Sequence, residues 1–297
     1  MSESSISASP PVVLHEALSA SGRRWRWVRK HPTLILGLAL LLIVAGLAIA
    51  APWIATHNPI NINPLQRMKP PSAEHYFGTD ALGRDVFSRV VWGGRVSLVV
   101  AIVVALIATA VGVVLGLLAG FVRWADAIIM RIMDGMMAIP DILLAIALMA
   151  VIRASLTTVI IAIAIPQVPR VVRLVRSLAL TLREQLYVEA AHAVGTRLPV
   201  ILRRHVLPNM VTPLVVQATF IAATAVLTEA VLSFLGVGVP AQVPSWGNMM
   251  ADARNYVAVA FYTILYPGIL LAITVLAINL MGDGLRDALD PRLTNQR

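Results

Sequence analysis

The feature that most limits what this chain can become is a set of long stretches from which charge is nearly missing. Residues 96–122, VSLVVAIVVALIATAVGVVLGLLAGFV, hold no ionisable side chain. About 20 helical residues cross the hydrocarbon core of a bilayer, so this stretch reads as a transmembrane helix. Five further runs, at 33–55, 135–152, 155–175, 209–235 and 257–281, can be drawn on the same ground. Charged residues make up 13% of the chain and apolar ones 58%, about half the charge usual in a soluble domain. The expected fold class is an all-α membrane protein of six transmembrane helices, with no large soluble domain and no internal repeat.

The runs divide the chain. Residues 1–30 form an N-terminal tail, Ser-, Ala- and Pro-rich to about residue 20 and then basic, RRWRWVRK. The first run, 33–55, has two readings, an uncleaved anchor or a signal peptide with an A-x-A site at Ala48 and Ala50. Its length and the spans beyond it favour the anchor. Residues 56–95 make an extracytoplasmic segment, 96–282 a five-helix core containing a loop at 176–208, and 283–297 a C-terminal tail.

Basic residues set the orientation. With the N-terminus in the cytoplasm, 17 of the 24 Lys and Arg residues fall on inner segments and seven, Arg67, Lys69, Arg84, Arg89, Arg95, Arg153 and Arg254, on outer ones. The positive-inside rule then places both termini in the cytoplasm. The net charge of +9 is thereby read as a topology signal, and nucleic acid is not expected as a partner.

This orientation puts an unusual insert, VEAAHAVGTRLPVILRRHVLPNM at 188–210, on the cytoplasmic face. Leu186, Ala190 and Ala193, with Tyr187, Ala191 and Val194 beside them, form an apolar stripe opposite Gln185, Glu189, His192 and Thr196. Gly195 suits a left-handed helix end. A return helix can start with Thr196 as its cap, take Pro199 in its first turn and stop at Pro208. Two readings of the hairpin stand at this point: a grip for another protein, or a loop lying on anionic lipid through Arg197, Arg203 and Arg204.

Four strings carry a resemblance. Glu189-Ala190-Ala191, Gly195 and Leu207-Pro208 fit EAA-x3-G-x9-I-x-LP with His205 at the isoleucine position, and FGTDALGRD (77–85), LSFLG (232–236) and GDGLRDALDP (282–291) agree as well. Over about residues 30–293 the chain resembles the permeases of ATP-binding-cassette (ABC) importers, specifically the second permease subunit of dipeptide, oligopeptide and nickel systems. The resemblance implies a type I importer transmembrane domain in a bacterial inner membrane. It also implies a homologous permease partner, two cytoplasmic ATPase subunits and an extracytoplasmic substrate-binding protein. In such permeases the EAA loop is a coupling helix that docks on the ATPase, a role the match transfers to Glu189, Ala190, Ala191, Gly195, Leu207 and Pro208.

The remaining chemistry is sparse. No G-x-x-x-x-G-K-[ST] is present, so ATP is expected on partner subunits and no cofactor here. Cysteine is absent, and His15, His31, His57, His75, His192 and His205 are scattered outside the spans, so neither a metal site nor a catalytic set is expected. Asp134, Asp141 and Glu229 are the acidic groups placed in or at spans; Glu229 reads equally as a functional carboxylate or a hydrogen-bonded packing residue. Pro140, Pro166, Pro169, Pro213 and Pro267 are expected to bend their helices. Gly112, Gly116 and Gly120 are expected to admit a neighbouring helix. Asp80, Arg84, Asp85 and Arg89, with Leu82, Val86 and Val90 on another face, suggest a short amphipathic helix on the outer surface. A gradient-driven secondary transporter is the alternative to the importer.

Overall fold

The computed structural model describes residues 31–151 and 154–289. The readings of the tail 1–20, the basic cluster 23–30, Arg153, Asp290 and Pro291 lie outside these residues. Ten α-helices form among the described residues: α1 (Pro32–Ile54), α2 (Val86–Phe121), α3 (Arg123–Met137), α4 (Asp141–Val151), α5 (Leu156–Arg183), α6 (Leu186–Ala193), α7 (Leu198–Ile201), α8 (Leu207–Phe234), α9 (Trp246–Ala253) and α10 (Tyr262–Leu289). Among the same residues no strand forms, and the one isolated bridge joins Thr79 and Asp85. Five helices are long and apolar enough to cross a membrane, and a sixth crossing is supplied if the bent pair α3–α4 counts as one span.

Close approach of backbones holds the centre together. Gly112, Gly116 and Gly120 lie on one face of α2, and a Cβ on each would come within 2.4, 2.6 and 2.5 Å of Val171, Val175 and Ala179 on α5. Three glycines at spacing four thus make a groove for three small side chains at spacing four. The expected packing stripe is therefore the α2–α5 seam. A similar approach joins α1 to α10, where Gly37 lies against the backbone of Ala277 and Met281, and Gly284 against Leu34.

The prolines act unequally. Pro166 and Pro169 stay inside α5, Pro213 inside α8 and Pro267 inside α10. At Pro140 the chain breaks, and α3 and α4 meet at 92°. The bend expected at Pro140 is a full break, and the span expected at 135–152 is the short helix α4 preceded by an oblique one. Proline lacks the N–H that would carry the helix through, and Ala138 and Ile139 end α3 with bonds back to Asp134 and Met136.

The expected surface helix at 80–89 is absent. Gly78 and Gly83, at φ +75° and +73°, turn the chain sharply, and the helix starts only when Asp85 accepts from Ser88 N at 2.8 Å. Asp80, Arg84, Asp85 and Arg89 are all buried. Arg84 donates to Asp80 and to Asp252 at 2.6 Å each, and Arg89 lies 3.8 and 3.7 Å from the same carboxylates. Charges this close in sequence need no water-facing helix when a third carboxylate arrives from α9. Trp246 closes the cap by donating to Val90 O at 2.9 Å, in room left by Gly93 and Gly94.

A candidate coupling hairpin and a charge ladder

The insert folds at one end of the bundle as a hairpin of α6, a turn and α7. Gly195 adopts φ +79°. Thr196 N donates to Ala191 O at 3.0 Å and Gly195 N to His192 O at 2.9 Å, the paired bonds of a Schellman-like end. The return strand differs from expectation. Arg197, not Thr196, sits at the cap of α7, and the helix does not stop at Pro208. Residues Leu202–Val206 widen into a π-turn, in which Leu207 N reaches back to Leu202 O. Pro208 then falls in the first turn of α8, where its missing N–H and fixed φ are tolerated.

The hairpin has an inner and an outer side. Val188, Ile201, Val206 and Met210 are fully buried and join the main core, with Ala191, Leu202 and Leu207 partly buried against it. Leu186, Ala190, Ala193 and Val194 are exposed, so most of the expected apolar stripe faces outward and Val188 anchors the helix instead. Glu189 is exposed, and among the described residues its carboxylate has no partner. Asn209 ties the hairpin to α8, donating to His205 O at 2.6 Å and to Tyr187 Oη at 3.3 Å. Pro208 borders a concavity with Pro199, Val200, Arg203 and Arg204. Of the six motif residues, then, Glu189, Ala190, Gly195 and Pro208 are presented outward, while Ala191 and Leu207 seat the hairpin.

Sequence reasoning missed a second feature. Arg170, Arg173 and Arg176 recur at spacing three along α5 and meet Asp141, Asp134 and Asp126 from α4 and α3. The distances are 2.6 Å, 2.6 Å and, for a two-pronged pair, 2.5 and 2.7 Å. The signal was present as RVVRLVR inside an apolar helix, but the arginines read there as topology markers. Glu229 is buried in α8, its oxygens accepting from Ser233 Oγ at 2.8 Å and Ser97 Oγ at 3.3 Å. Of its two readings, this geometry is that of the packing residue.

The histidines are less scattered than the sequence implied. His57, His75 and Asp85 bring ligand atoms within 4.8 Å of one another. Asp85 is already engaged, with Oδ2 capping α2 and Oδ1 lying 2.9 Å from His75 Nδ1, while His75 Nε2 lies 2.6 Å from Gln66 Oε1. The set works as a clasp between the loop and α2.

A multi-pass helical bundle with a glycine-grooved centre, a broken span and a hairpin projecting from one end defines a class, the transmembrane subunit of a transporter. The model for binding-protein-dependent transport system inner membrane components matches residues 112–295, and that for the N-terminal transmembrane domain of oligopeptide transport permease C matches residues 19–71. The chain belongs to this family of inner-membrane permeases of binding-protein-dependent ABC importers.

Its relatives match nearly end to end. The chain is 50% identical to a "Probable peptide ABC transporter permease protein", y4tQ, of Sinorhizobium fredii, over 100% of this chain and 99% of that one. It is 43% identical to the dipeptide transport system permease protein DppC of Alkalihalophilus pseudofirmus, over 96% and 94%. With the glutathione transport system permease protein GsiD of Pectobacterium atrosepticum the identity is 40% over 96% of each. Among solved structures, the inward-facing MetNI methionine ABC transporter superposes with a TM-score of 0.58 at 23% identity, over 69% of this chain and 98% of that one. The fold is that of the type I importer transmembrane domain.

Proposed function

We propose that this subunit moves small peptides inward across the cytoplasmic membrane, powered by ATPase subunits that grip the hairpin around Glu189. The observation that carries the coupling half is the outward face of α6. It presents Leu186, Ala190, Ala193 and Val194 with an unpaired Glu189, while Val188 on the opposite side is locked into the core. Small side chains permit close approach, and the free carboxylate suits a basic partner. A push on such a rigid, anchored helix passes through α8, into which the return strand runs without a break, to the bundle.

The peptide half rests on the relatives, whose names specify peptide, dipeptide and glutathione. The bundle would pair with a homologous permease so that the path lies between them, and a substrate-binding protein would deliver cargo at the end opposite the hairpin. Both termini and the hairpin lie in the cytoplasm on this reading, the orientation that a 17-to-7 division of the basic residues favours. No residue of this chain performs covalent chemistry; hydrolysis belongs to the ATPase subunits.

Copurification tests the coupling. Glu189→Lys or Gly195→Pro is expected to lose most of the ATPase subunits while the permease still inserts in the membrane. Full retention of the ATPase would refute the docking assignment. Reporter fusions test orientation: one after Gly195 should report cytoplasm and one after Gly238 the external side, and the reverse pattern would overturn the topology.

A further inference from the structure

Three side chains converge where the chain leaves α1 and enters α2. His57 follows α1, His75 lies in the loop and Asp85 caps α2, and their ligand atoms fall within 4.8 Å of one another. A plain pair between His75 and Asp85 needs no second histidine. Yet His57 is brought to the same carboxylate, its Nδ1 3.9 Å from Asp85 Oδ1 and its ring centroid 4.6 Å from that of His75. Its backbone is fixed there, the N–H donating to Ser88 Oγ at 3.1 Å.

The two buried members are oriented from behind. His75 Nε2 faces Gln66 Oε1 at 2.6 Å, and because an amide oxygen only accepts, that nitrogen carries the N–H of the ring. In the neutral ring Nδ1 is then bare, and it faces Asp85 Oδ1 at 2.9 Å. Two acceptors this close hold a cation between them, either a proton or a metal ion. Asp85 Oδ2 is taken up by Ser88 N at 2.8 Å and Thr56 Oγ1 at 3.3 Å, which leaves Oδ1 for that cation. An imidazole whose far nitrogen donates to an oxygen, beside a carboxylate held through its other oxygen, is the surround that orients metal ligands.

We propose that His57, His75 and Asp85 bind one divalent transition-metal ion of the zinc type, which ties the end of α1 and the loop to the start of α2. Two imidazoles and one carboxylate suit such an ion, whereas calcium and magnesium select oxygen ligands. With bonds of about 2.0–2.2 Å, neighbouring ligands of a tetrahedral ion stand about 3.3 Å apart. His57 supplies the adjustment, because its side chain is 39% exposed while His75 and Asp85 are buried. It also borders an open cavity with Thr56 and Asn58, which gives the ion an entry route and leaves a fourth position for solvent.

Zinc itself is the probe. The assembled importer, free of polyhistidine tags and stripped with a chelator, is expected to bind one more Zn2+ per copy of this chain than importer carrying His57→Gln. Any residual binding at the altered site should be at least ~10-fold weaker. His57→Gln is the deciding variant, since it changes an exposed side chain and leaves the His75–Asp85 contact in place. Co2+ in place of zinc should give the visible absorption of a four-coordinate ion, missing from the variant. Equal metal stoichiometry in the two proteins overturns the site and leaves a proton between His75 and Asp85. The tie is read by hydrogen exchange over residues 56–85, expected to slow when Zn2+ is added to the unaltered importer and not to His57→Gln. Zinc bound through His57 without slower exchange overturns the tie.

Discussion

Gly195 isolates one physical effect. Its φ is +79° and no atom lies within 4 Å of where a Cβ would sit, so Gly195→Ala adds left-handed strain and no collision. A cost of about 1–2 kcal/mol is expected, concentrated in the hairpin, and hydrogen exchange should show faster opening of residues 186–201 while α2 and α5 stay protected. Gly195→Asn should be milder, because asparagine tolerates that conformation. Asp252 is the contrasting case. Its carboxylate serves both buried arginines, Arg84 at 2.6 Å and Arg89 at 3.7 Å, and Arg89 Nε and Nη2 already lack hydrogen-bond partners. Asp252→Ala leaves the buried Arg84 and Arg89 with Asp80 alone, a loss of about 1–3 kcal/mol for the donors left unpaired, and should lower the thermal midpoint beyond Glu189→Ala on the open hairpin. The spacing of Asp80, Arg84, Asp85 and Arg89 was legible in the sequence. Their burial was not, because it depends on Asp252, 168 residues from Arg84.

Among the elements, legibility tracked the strength of the local signal. The uncharged runs located the spans, and the glycine spacing in α2 announced a close neighbour without naming α5. The bend expected at Pro140 came as a full break, whereas the passage through Pro208 went the other way from expectation. A proline removes a single N–H, which costs nothing in the first turn of a helix, while Pro166, Pro169, Pro213 and Pro267 are held inside their helices despite the loss. At Pro140 the chain breaks at 92°, whereas the π-turn at Leu202–Val206 delivers Pro208 into a first turn that never needed the donor. The α2–α5 seam can be tested by overpacking. Gly116→Leu would drive a side chain into Val175 and the Val172 carbonyl, and overpacking of this kind costs about 1–3 kcal/mol or more. The yield of folded, detergent-stable subunit should fall sharply, while Gly46→Leu, which meets nothing within 4 Å, should leave it unchanged.

At the scale of the whole molecule the parts have one direction. The loop end is stiffened by the Arg84–Asp80–Asp252 set and the His75–Asp85 clasp, the centre by the glycine seam, and the hairpin end carries the outward face of α6 on a strand that continues into α8. Such a bundle is suited to move in response to a push at one end, and the sequence contains no P-loop that would generate the push itself. The hairpin itself was legible early, in the EAA string and the glycine that follows it at 195. The charge ladder, which connects the seam to the broken span, became visible only once α3, α4 and α5 were folded together. The most direct test of the account is uptake of labelled dipeptide by proteoliposomes containing the complete importer, with ATP supplied on the hairpin side. Uptake is expected to persist when an uncoupler and a sodium ionophore collapse the proton and sodium gradients and to vanish when ATP is replaced by a non-hydrolysable analogue. Uptake that continues without hydrolysable ATP and collapses with the uncoupler would contradict it.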